Sequence, residues 1–283
     1  MRCEVAIVVL HYESLDDTKE CLDSLKKYFD KNDIRVIVVD NGSVNGKLSQ
    51  IESQYKEIKQ IEFIYSKENL GFAKGNNLGY KFAKKKYKPR VIVLANNDLI
   101  FEQEDFFDKL LENQKRLEFD VAGPKIISLE DGKNQNPVGL VYTTSMQVGK
   151  RIRKFQILNF LSYFNMDIKA KILLGKPIEE YQIDEKEDFQ LHGACMFFAG
   201  NYLEKFDGLY DGTFMYGEEF ILKYIIKKEQ MKMVYLDDVE VFHKEGASTK
   251  KMWGKGKKQR QFFYKWSIRS LKLLRQMMKE SDL

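Results

Sequence analysis

Short runs of consecutive aliphatic residues recur through the first hundred positions, and each stops abruptly at polar ones. EVAIVVLH (4–11), RVIVVD (35–40), IEFIYS (61–66) and VIVLA (91–95) are rich in β-formers and bounded by turn residues, so each predicts a strand. Between them the period changes. SLDDTKECLDSLKKYF (14–29) sets Leu15, Cys21, Leu22, Leu25 and Phe29 at helical spacing, the loop NGSVNG (41–46) leads into a polar helix running to about Lys59, and KENLG (67–71) opens the helix FAKGNNLGYKFAKKK. Fully apolar strands alternating with helices predict an α/β fold with a doubly wound, mostly parallel central sheet and helices on both faces. Ligands of such sheets bind outside the carboxyl ends of the strands. Those ends carry His11-Tyr12, Asp40-Asn41-Gly42-Ser43, Asn69-Leu70-Gly71 and Asn96-Asn97-Asp98. Turn chemistry accounts for any one of them; four on one rim predict a cleft.

The second half is less regular. Residues 129–188 include LEDGKNQNP, a loop or hairpin, and KFQILNFLSYF (154–164), an aromatic-rich helix that reads either as an insertion packed on the core or as a wall of the cleft. FQLHGACMFFAG (189–200) reads as a buried strand, NYLEKF (201–206) as a helix capped by Asn201, and FDGLYDGTFMYGEEFILKYIIKK as a turn-rich loop entering a helix. MVYLDDVEVFH (233–243) reads as two short strands ending at His243. In QFFYKWSIRSLKLLRQMMK (261–279), Phe263, Trp266, Ser270, Leu273, Leu274 and Met277 share a helical face. That pattern suits an interfacial amphipathic helix, or one whose stripe packs on the rest of the chain.

Composition narrows the classes. At 43% hydrophobic and 31% charged, the chain reads as a soluble globular protein, and no apolar run approaches the roughly 18 to 20 residues of a membrane span. Glu4 interrupts the N-terminal apolar stretch and no small-residue cleavage site follows, which argues against a secretory signal. Cys3, Cys21 and Cys195 are odd in number and lack metal-type spacing, as expected of the cytosol. The net charge is +5, but Gly246 to Lys279 holds eleven Lys and Arg and no acidic residue, with five large aromatic residues interleaved. A partner or a surface has to answer that asymmetry, and the inner face of the plasma membrane is the expected one. A nucleic-acid binder has no need of carboxylates such as Asp40, Asp98 and Glu219 at strand and helix ends, and LHYESLDD lacks the glycine fingerprint of a dinucleotide-binding turn.

Three positions carry candidate chemistry, each with a plain structural rival. Asp98 suits a divalent-cation ligand, since Mg²⁺ takes one or two protein carboxylates and completes its shell with water and phosphates; it equally suits a helix N-cap for the segment that follows. Glu218-Glu219 opens a helix, as a general base or merely as a favourable dipole pair. His243 is a metal ligand or a structural histidine.

Taken together, VVLHYESLDDTKECLDSL, VIVVDNGS, ENLGFAKGNNLGY, VLANND, HGACMFF, FDGLYDGTFMYGEEFIL and VEVFHKEG, in this order, resemble the inverting, GT-A-fold glycosyltransferases of family 2, especially the bacterial rhamnosyltransferase-like branch, over residues 4 to 270. The resemblance implies a donor site in which Asp40 meets the nucleotide base, His11, Tyr12 and Asn41 line its pocket, and Asn69, Gly71, Lys74 and Asn76 lie under the donor. Asn96-Asn97-Asp98 falls on the family's metal motif with Asn replacing its first Asp, so Asp98, with His243, would hold Mg²⁺ or Mn²⁺. Glu219 falls on the catalytic base, with Glu218 as its fallback, and His192, Gly193, Ala194, Asp207 and Tyr216 fall on the acceptor side. Where many relatives have an Asp two residues after the base, Ile221 stands here.

The implied protein is a metal-dependent hexosyltransferase that moves a sugar from a nucleotide-diphosphate donor, dTDP-rhamnose or a UDP-hexose, to a saccharide acceptor, lipid-linked, in cell-surface polysaccharide synthesis. The alternative is a non-catalytic relative that binds nucleotide sugar or polysaccharide. The expected division is a catalytic domain over 1–245, with 1–100 as its nucleotide-binding half and 101–245 as its acceptor-binding half, followed by a basic amphipathic helical segment over 246–283.

Overall fold

The computed structural model describes residues 2–174, 188–244 and 256–281. Four parallel strands form its first half: β1 (Val5–His11), β2 (Ile34–Asp40), β3 (Ile61–Tyr65) and β4 (Val91–Asn96). Along β1 the side chains alternate between two buried layers. Val5, Ile7 and Val9 face one cluster with Cys21, Leu22 and Leu25 of α1 (Leu15–Leu25), whereas Ala6 and Val8 face another with Ala73, Tyr80 and Ala83 of α3 (Phe72–Tyr87). Burial on both faces explains why these strands are apolar at nearly every position. The polar helix expected up to Lys59 is one turn, α2 (Glu52–Tyr55), behind a 3-10 turn; Leu48, Ile51 and Tyr55 fold that segment onto the core.

The sheet then changes direction. Its order is β3-β2-β1-β4-β7-β6-β8-β5, with β5 (Leu99–Ile100), β6 (Val121–Ser128), β7 (Cys195–Phe198) and β8 (Met233–His243). β7 runs antiparallel between β4 and β6, β6 and β8 are parallel, and β5 is antiparallel to the end of β8. Three sequence expectations shift here. The strand expected over 189–200 shortens to 195–198, because the His192 amide is held by the Asn136 side chain instead of a neighbouring strand. The two strands expected in 233–243 are one, with a register shift at the exposed Asp237-Asp238 pair. Asn201 is not the cap of α7 (Gly200–Lys205): the helix starts after Ala199, and Asp120 accepts from the Asn201 amide in its place.

Asp98 does not cap the next helix either. It lies between β4 and β5, and α4 (Phe106–Leu117) begins only after Asp105.

A third apolar cluster joins α5 (Ser145–Ser162), α8 (Glu218–Lys228) and α9 (Lys257–Ser281), with α6 (Asp167–Leu174) following α5. Val148, Ile152, Phe155 and Leu158 of α5 meet Tyr264, Leu271, Leu274 and Met278 of α9. The aromatic helix of residues 154–164 is therefore an insertion packed on the C-terminal helix, whose own stripe is largely consumed by this contact. Glu245 to Lys255, including part of the basic run and the end of the VEVFHKEG motif, lies outside the described residues.

Tight helix-on-sheet packing makes one position decisive. A Cβ on Gly79 of α3 would collide with the γ-methyls of Val8 and Val39, both buried on stiff strands. Gly79→Ala is expected to lower unfolding stability by about 1–3 kcal/mol, despite alanine's better helix propensity, as a drop in the urea midpoint will report.

Candidate functional site at the carboxyl ends of the strands

Parallel pairing brings the first three strand ends level, with His11 opposite Asp40 and Leu10 opposite Asn96. A cleft of about 540 Å³ opens beyond β2, lined by Asp40, Ser43, Lys47, Tyr65 and Lys67 among others. Asp40 also builds its wall: one carboxylate oxygen accepts from the Ser43 amide at 2.8 Å and the other from the Leu48 amide at 3.1 Å. Four lone-pair directions leave it room for a ligand donor. Tyr65, a lining residue that the sequence did not single out, is 47% exposed, and its hydroxyl donates to Glu52 at 2.6 Å.

Asn41, Asn69 and Gly71 form one brace beside this cleft. Asn41 donates to Asn69 Oδ1 and Gly71 O and accepts from the Leu70 amide, and Asn69 Oδ1 accepts from the Gly71 amide. Gly71 has φ +83°, and a Cβ there would strike the Phe214 carbonyl, which accepts from the Phe72 amide at 2.7 Å. The start of α3 is thereby tied to the loop preceding α8. Lys74 is exposed on the first turn of α3, Asn76 donates back to Phe72 O, and Tyr12 is half-buried beside the rim.

His11 is fully buried beneath the rim and lines no surface. Its Nε2 faces the Gly46 carbonyl at 2.8 Å and must donate to it; Nδ1 then accepts from the Thr18 hydroxyl at 2.6 Å, which in turn accepts from Asn97 Nδ2 at 2.8 Å. This relay ties the end of β4 to α1, and Asn97 with His11 supports the rim from within.

Above the relay, Asp98 and His243 meet. Leu99 pairs with His243 and the Lys244 amide donates to Asp98 O at 3.0 Å, which sets the two side chains together with His243 Nε2 3.3 Å from Asp98 Oδ1. The other imidazole nitrogen, Nδ1, donates to Gln135 Oε1 at 2.7 Å, which fixes the ring with Nε2 toward the carboxylate. Asp98 Oδ1 is buried and makes no hydrogen bond. A carboxylate oxygen and an imidazole nitrogen brought together in a buried site are ligands that suit Mg²⁺ or Mn²⁺. Among the described residues no group of three or more His, Cys, Asp and Glu forms a closed cage, so water and a substrate would complete the shell. Gln135 falls within the predicted LEDGKNQNP loop, where a lone Gln carries no local signal.

On the other flank, Asn96 donates its amide to Ala194 O at 2.8 Å, and a Cβ on Gly193 would collide with Glu219 Oε1. The small residues of His192-Gly193-Ala194 thus give room to the Glu219 carboxylate. His192 lies 5.7 Å from His243, ring to ring, and burial, followed by the neighbouring His243, lowers its pKa to about 4, so it is neutral. Glu218 points away, buried, and accepts from the Thr213 hydroxyl at 2.9 Å. Ile221, one face round the helix, is buried in the α5–α8–α9 seam, which explains an apolar residue there.

Two acceptor-side expectations are not brought to the rim. Asp207 is exposed and pairs with Lys84 at 2.6 Å, about 18 Å along α3 from its rim end. Tyr216 packs its ring on Phe262 and Phe263 of α9.

This arrangement, a parallel half joined to an antiparallel half with an acidic strand end between them, is the GT-A type of glycosyltransferase fold. It aligns with a crystal structure of GalNAc-T7 with UDP, GalNAc and Mn²⁺ at TM-score 0.58 and 13% identity, covering 88% of this chain and 45% of that one. It aligns with the mannosyltransferase PcManGT from Pyrobaculum calidifontis in complex with GDP-Man and Mn²⁺ at TM-score 0.52 and 15% identity, covering 87% and 58%. The sequence profile described as Glycosyl transferase family 2 matches residues 6–173, more than half of the chain, and the chain belongs to that family. The low-salt glycan biosynthesis hexosyltransferase Agl10 of Haloferax volcanii is 22% identical over 245 residues, 86% of this chain and 67% of its own length.

The glutamate pair generates a stability prediction. Burial, then the charge of Glu219, pushes the Glu218 carboxyl up to about 8 from 4.5, and burial also raises Glu219. The folded state holds the Glu218 proton where the unfolded chain has released it, so stability should fall as pH rises from about 4.5 to about 8. Glu218→Gln should flatten that slope, measured as the melting temperature across this range.

Proposed function

We propose that this chain is a metal-dependent transferase that moves a sugar from a nucleoside-diphosphate donor to a saccharide hydroxyl with inversion at the anomeric carbon. The observation that carries the reading is the buried, mutually facing Asp98–His243 pair at the strand ends. Asp98 and His243 would hold Mg²⁺ or Mn²⁺, which when bound neutralises charge on the departing diphosphate. Asp40 and its cleft would take the base, and the loop braced by Asn41 and Asn69 would lie under the donor. Glu219 would take the proton of the acceptor hydroxyl as its oxygen attacks the anomeric carbon, with Gly193 leaving that carboxylate unobstructed. Glu218 is turned away and held by the Thr213 hydroxyl, which leaves Glu219 as the member of the pair that faces Gly193.

The donors implied by the resemblance, dTDP-rhamnose and UDP-hexose, are joined by GDP-sugars, because the relatives of this fold include one bound to GDP-Man. The acceptor is proposed to be a lipid-linked saccharide used in cell-surface polysaccharide. Among the described residues no helix is long and apolar enough to cross a membrane.

Release of nucleoside diphosphate from UDP-glucose, dTDP-rhamnose and GDP-mannose with Mn²⁺, with water or mixed glycans as acceptor, tests the reading. Glu219→Gln is expected to slow turnover by about 10²- to 10⁴-fold and leave nucleotide affinity intact. Because burial raises Glu219, wild-type kcat/KM should fall on the acid side with a midpoint above the ordinary glutamate value of 4.5. Nucleotide binding without turnover of any donor would favour a non-catalytic binding protein.

A further inference from the structure

The basic, aromatic C-terminal helix invites a membrane role, but its apolar stripe faces inward. Tyr264, Leu271, Leu274 and Met278 are buried against α5, and Trp266 stacks on Phe214 at 4.5 Å. The exposed apolar surface of the region lies elsewhere. At the elbow between α5 and α6, Ile157, Phe160, Tyr163, Phe164, Met166 and Ile168 are each between 50% and 64% exposed. Scattered exposed apolar residues need no explanation, but six within twelve positions make a cluster of the kind that marks an interaction site.

Its surroundings say what it meets. Residues 145–174 hold six Lys and Arg and residues 256–281 hold eight, against two carboxylates, Asp167 and Glu280. Asp167 is fully buried and spent internally: Arg260 donates to it at 2.7 Å and the Tyr264 hydroxyl at 3.1 Å. These bonds, with Lys257 Nζ donating to Tyr163 O at 2.7 Å, fasten the elbow to the first turns of α9 and present its aromatic residues on a rigid base. Lys169 and Lys258 stay exposed beside them. Along α5, Arg153, Ile157, Phe160 and Phe164 follow one another at spacings of three and four, so one exposed stripe passes from basic to apolar. Arg153 also lines a cleft of about 440 Å³ with Lys272, Arg275, Gln276, Lys279 and Glu280 of α9, four cations to one carboxylate, roughly 10 Å along the helix from Phe160. An apolar tip with a cationic collar one or two turns behind it matches the depth profile of a bilayer interface, acyl chains below and anionic headgroups above.

We infer that the α5–α6 elbow is the docking surface of this protein for an anionic lipid bilayer, with Phe160 and Phe164 entering the interface and the Arg153–Lys272–Lys279 cleft facing headgroup phosphates. It differs from the strand-end cleft and stands on the surface alone, independent of the transfer reaction. A membrane-held acceptor would be presented to an enzyme docked in this way.

Flotation of the full chain with vesicles tests it, with no donor or acceptor present, so that it can fail while nucleotide binding holds. Wild type is expected to float with vesicles of phosphatidylcholine mixed with phosphatidylglycerol, to float poorly with phosphatidylcholine alone, and to be released by high salt. Phe160→Ser with Phe164→Ser, and separately Lys169→Glu with Lys258→Glu, should each weaken binding by about tenfold or more, with unchanged thermal melting since all four side chains are exposed. Failure of wild type to bind anionic vesicles, or equal binding by the variants, overturns the inference. So does a sedimentation result in which the Phe160/Phe164 variant breaks a dimer while vesicle binding persists, which would assign the face to a second copy of the chain.

Discussion

The antiparallel pairing of Leu99 with His243 is the contact on which the strand-end site depends. β5 is only two residues long, and its role is to turn the chain after Asn96 so that Asp98 faces the end of a strand nearly 150 positions later. The cost is a buried carboxylate oxygen without a hydrogen bond, opposite an imidazole whose other nitrogen is engaged by Gln135. Bringing a carboxylate into a buried site costs about 1–3 kcal/mol or more unless positive charge, on the imidazole or on a bound cation, answers it. The Asn97–Thr18–His11 relay below holds this geometry in the absence of any ligand.

A second constraint operates from the C-terminus. Trp266 stacks on Phe214, Phe263 packs on Tyr216, and Ser270 lies against Gly217, the residue just before Glu218-Glu219. The loop that carries the glutamate pair is therefore clamped between the start of α3 and the face of α9. Phe262, Phe263 and Trp266 of the basic segment have their explanation in this clamp, and Lys265 between them remains on the outside.

The first half of the fold was legible because its physics is local. β1, β2 and β4 are apolar runs with both faces buried, β3 is a β-rich run at the sheet edge, and α1 and α3 carry their stripes at helical spacing, so pattern alone sets their type and order. The later strands were harder to read: β7 is shortened by a side chain from Asn136, and β8 is one strand with a shift at Asp237-Asp238, and both are long-range effects. The rim residues divide in the same way. Asp40, Asn96, Asp98, Gly193, Glu219 and His243 are at the strand and helix ends where their motifs suggested, whereas Asp207 pairs with Lys84 and Tyr216 joins the aromatic clamp. Gln135 orients His243 from 108 positions away, where nothing local signals the pairing; Thr18 and Thr213 lie only seven and five positions from His11 and Glu218, at spacings set by the turns between them and not by a helical or strand period. The apolar elbow was present in KFQILNFLSYF, but only the structure separates its inward residues from its outward ones.

The central claim is that Asp98 and His243 form a cation site that a nucleoside diphosphate completes. Calorimetric titration of UDP and GDP into wild type and Asp98→Ala, each with and without Mn²⁺, addresses it most directly. Affinity for one of these nucleotides that rises with Mn²⁺ in wild type, and loses that dependence in Asp98→Ala, is the expected result. Nucleotide binding indifferent to the metal, or a metal dependence that survives in Asp98→Ala, would contradict it.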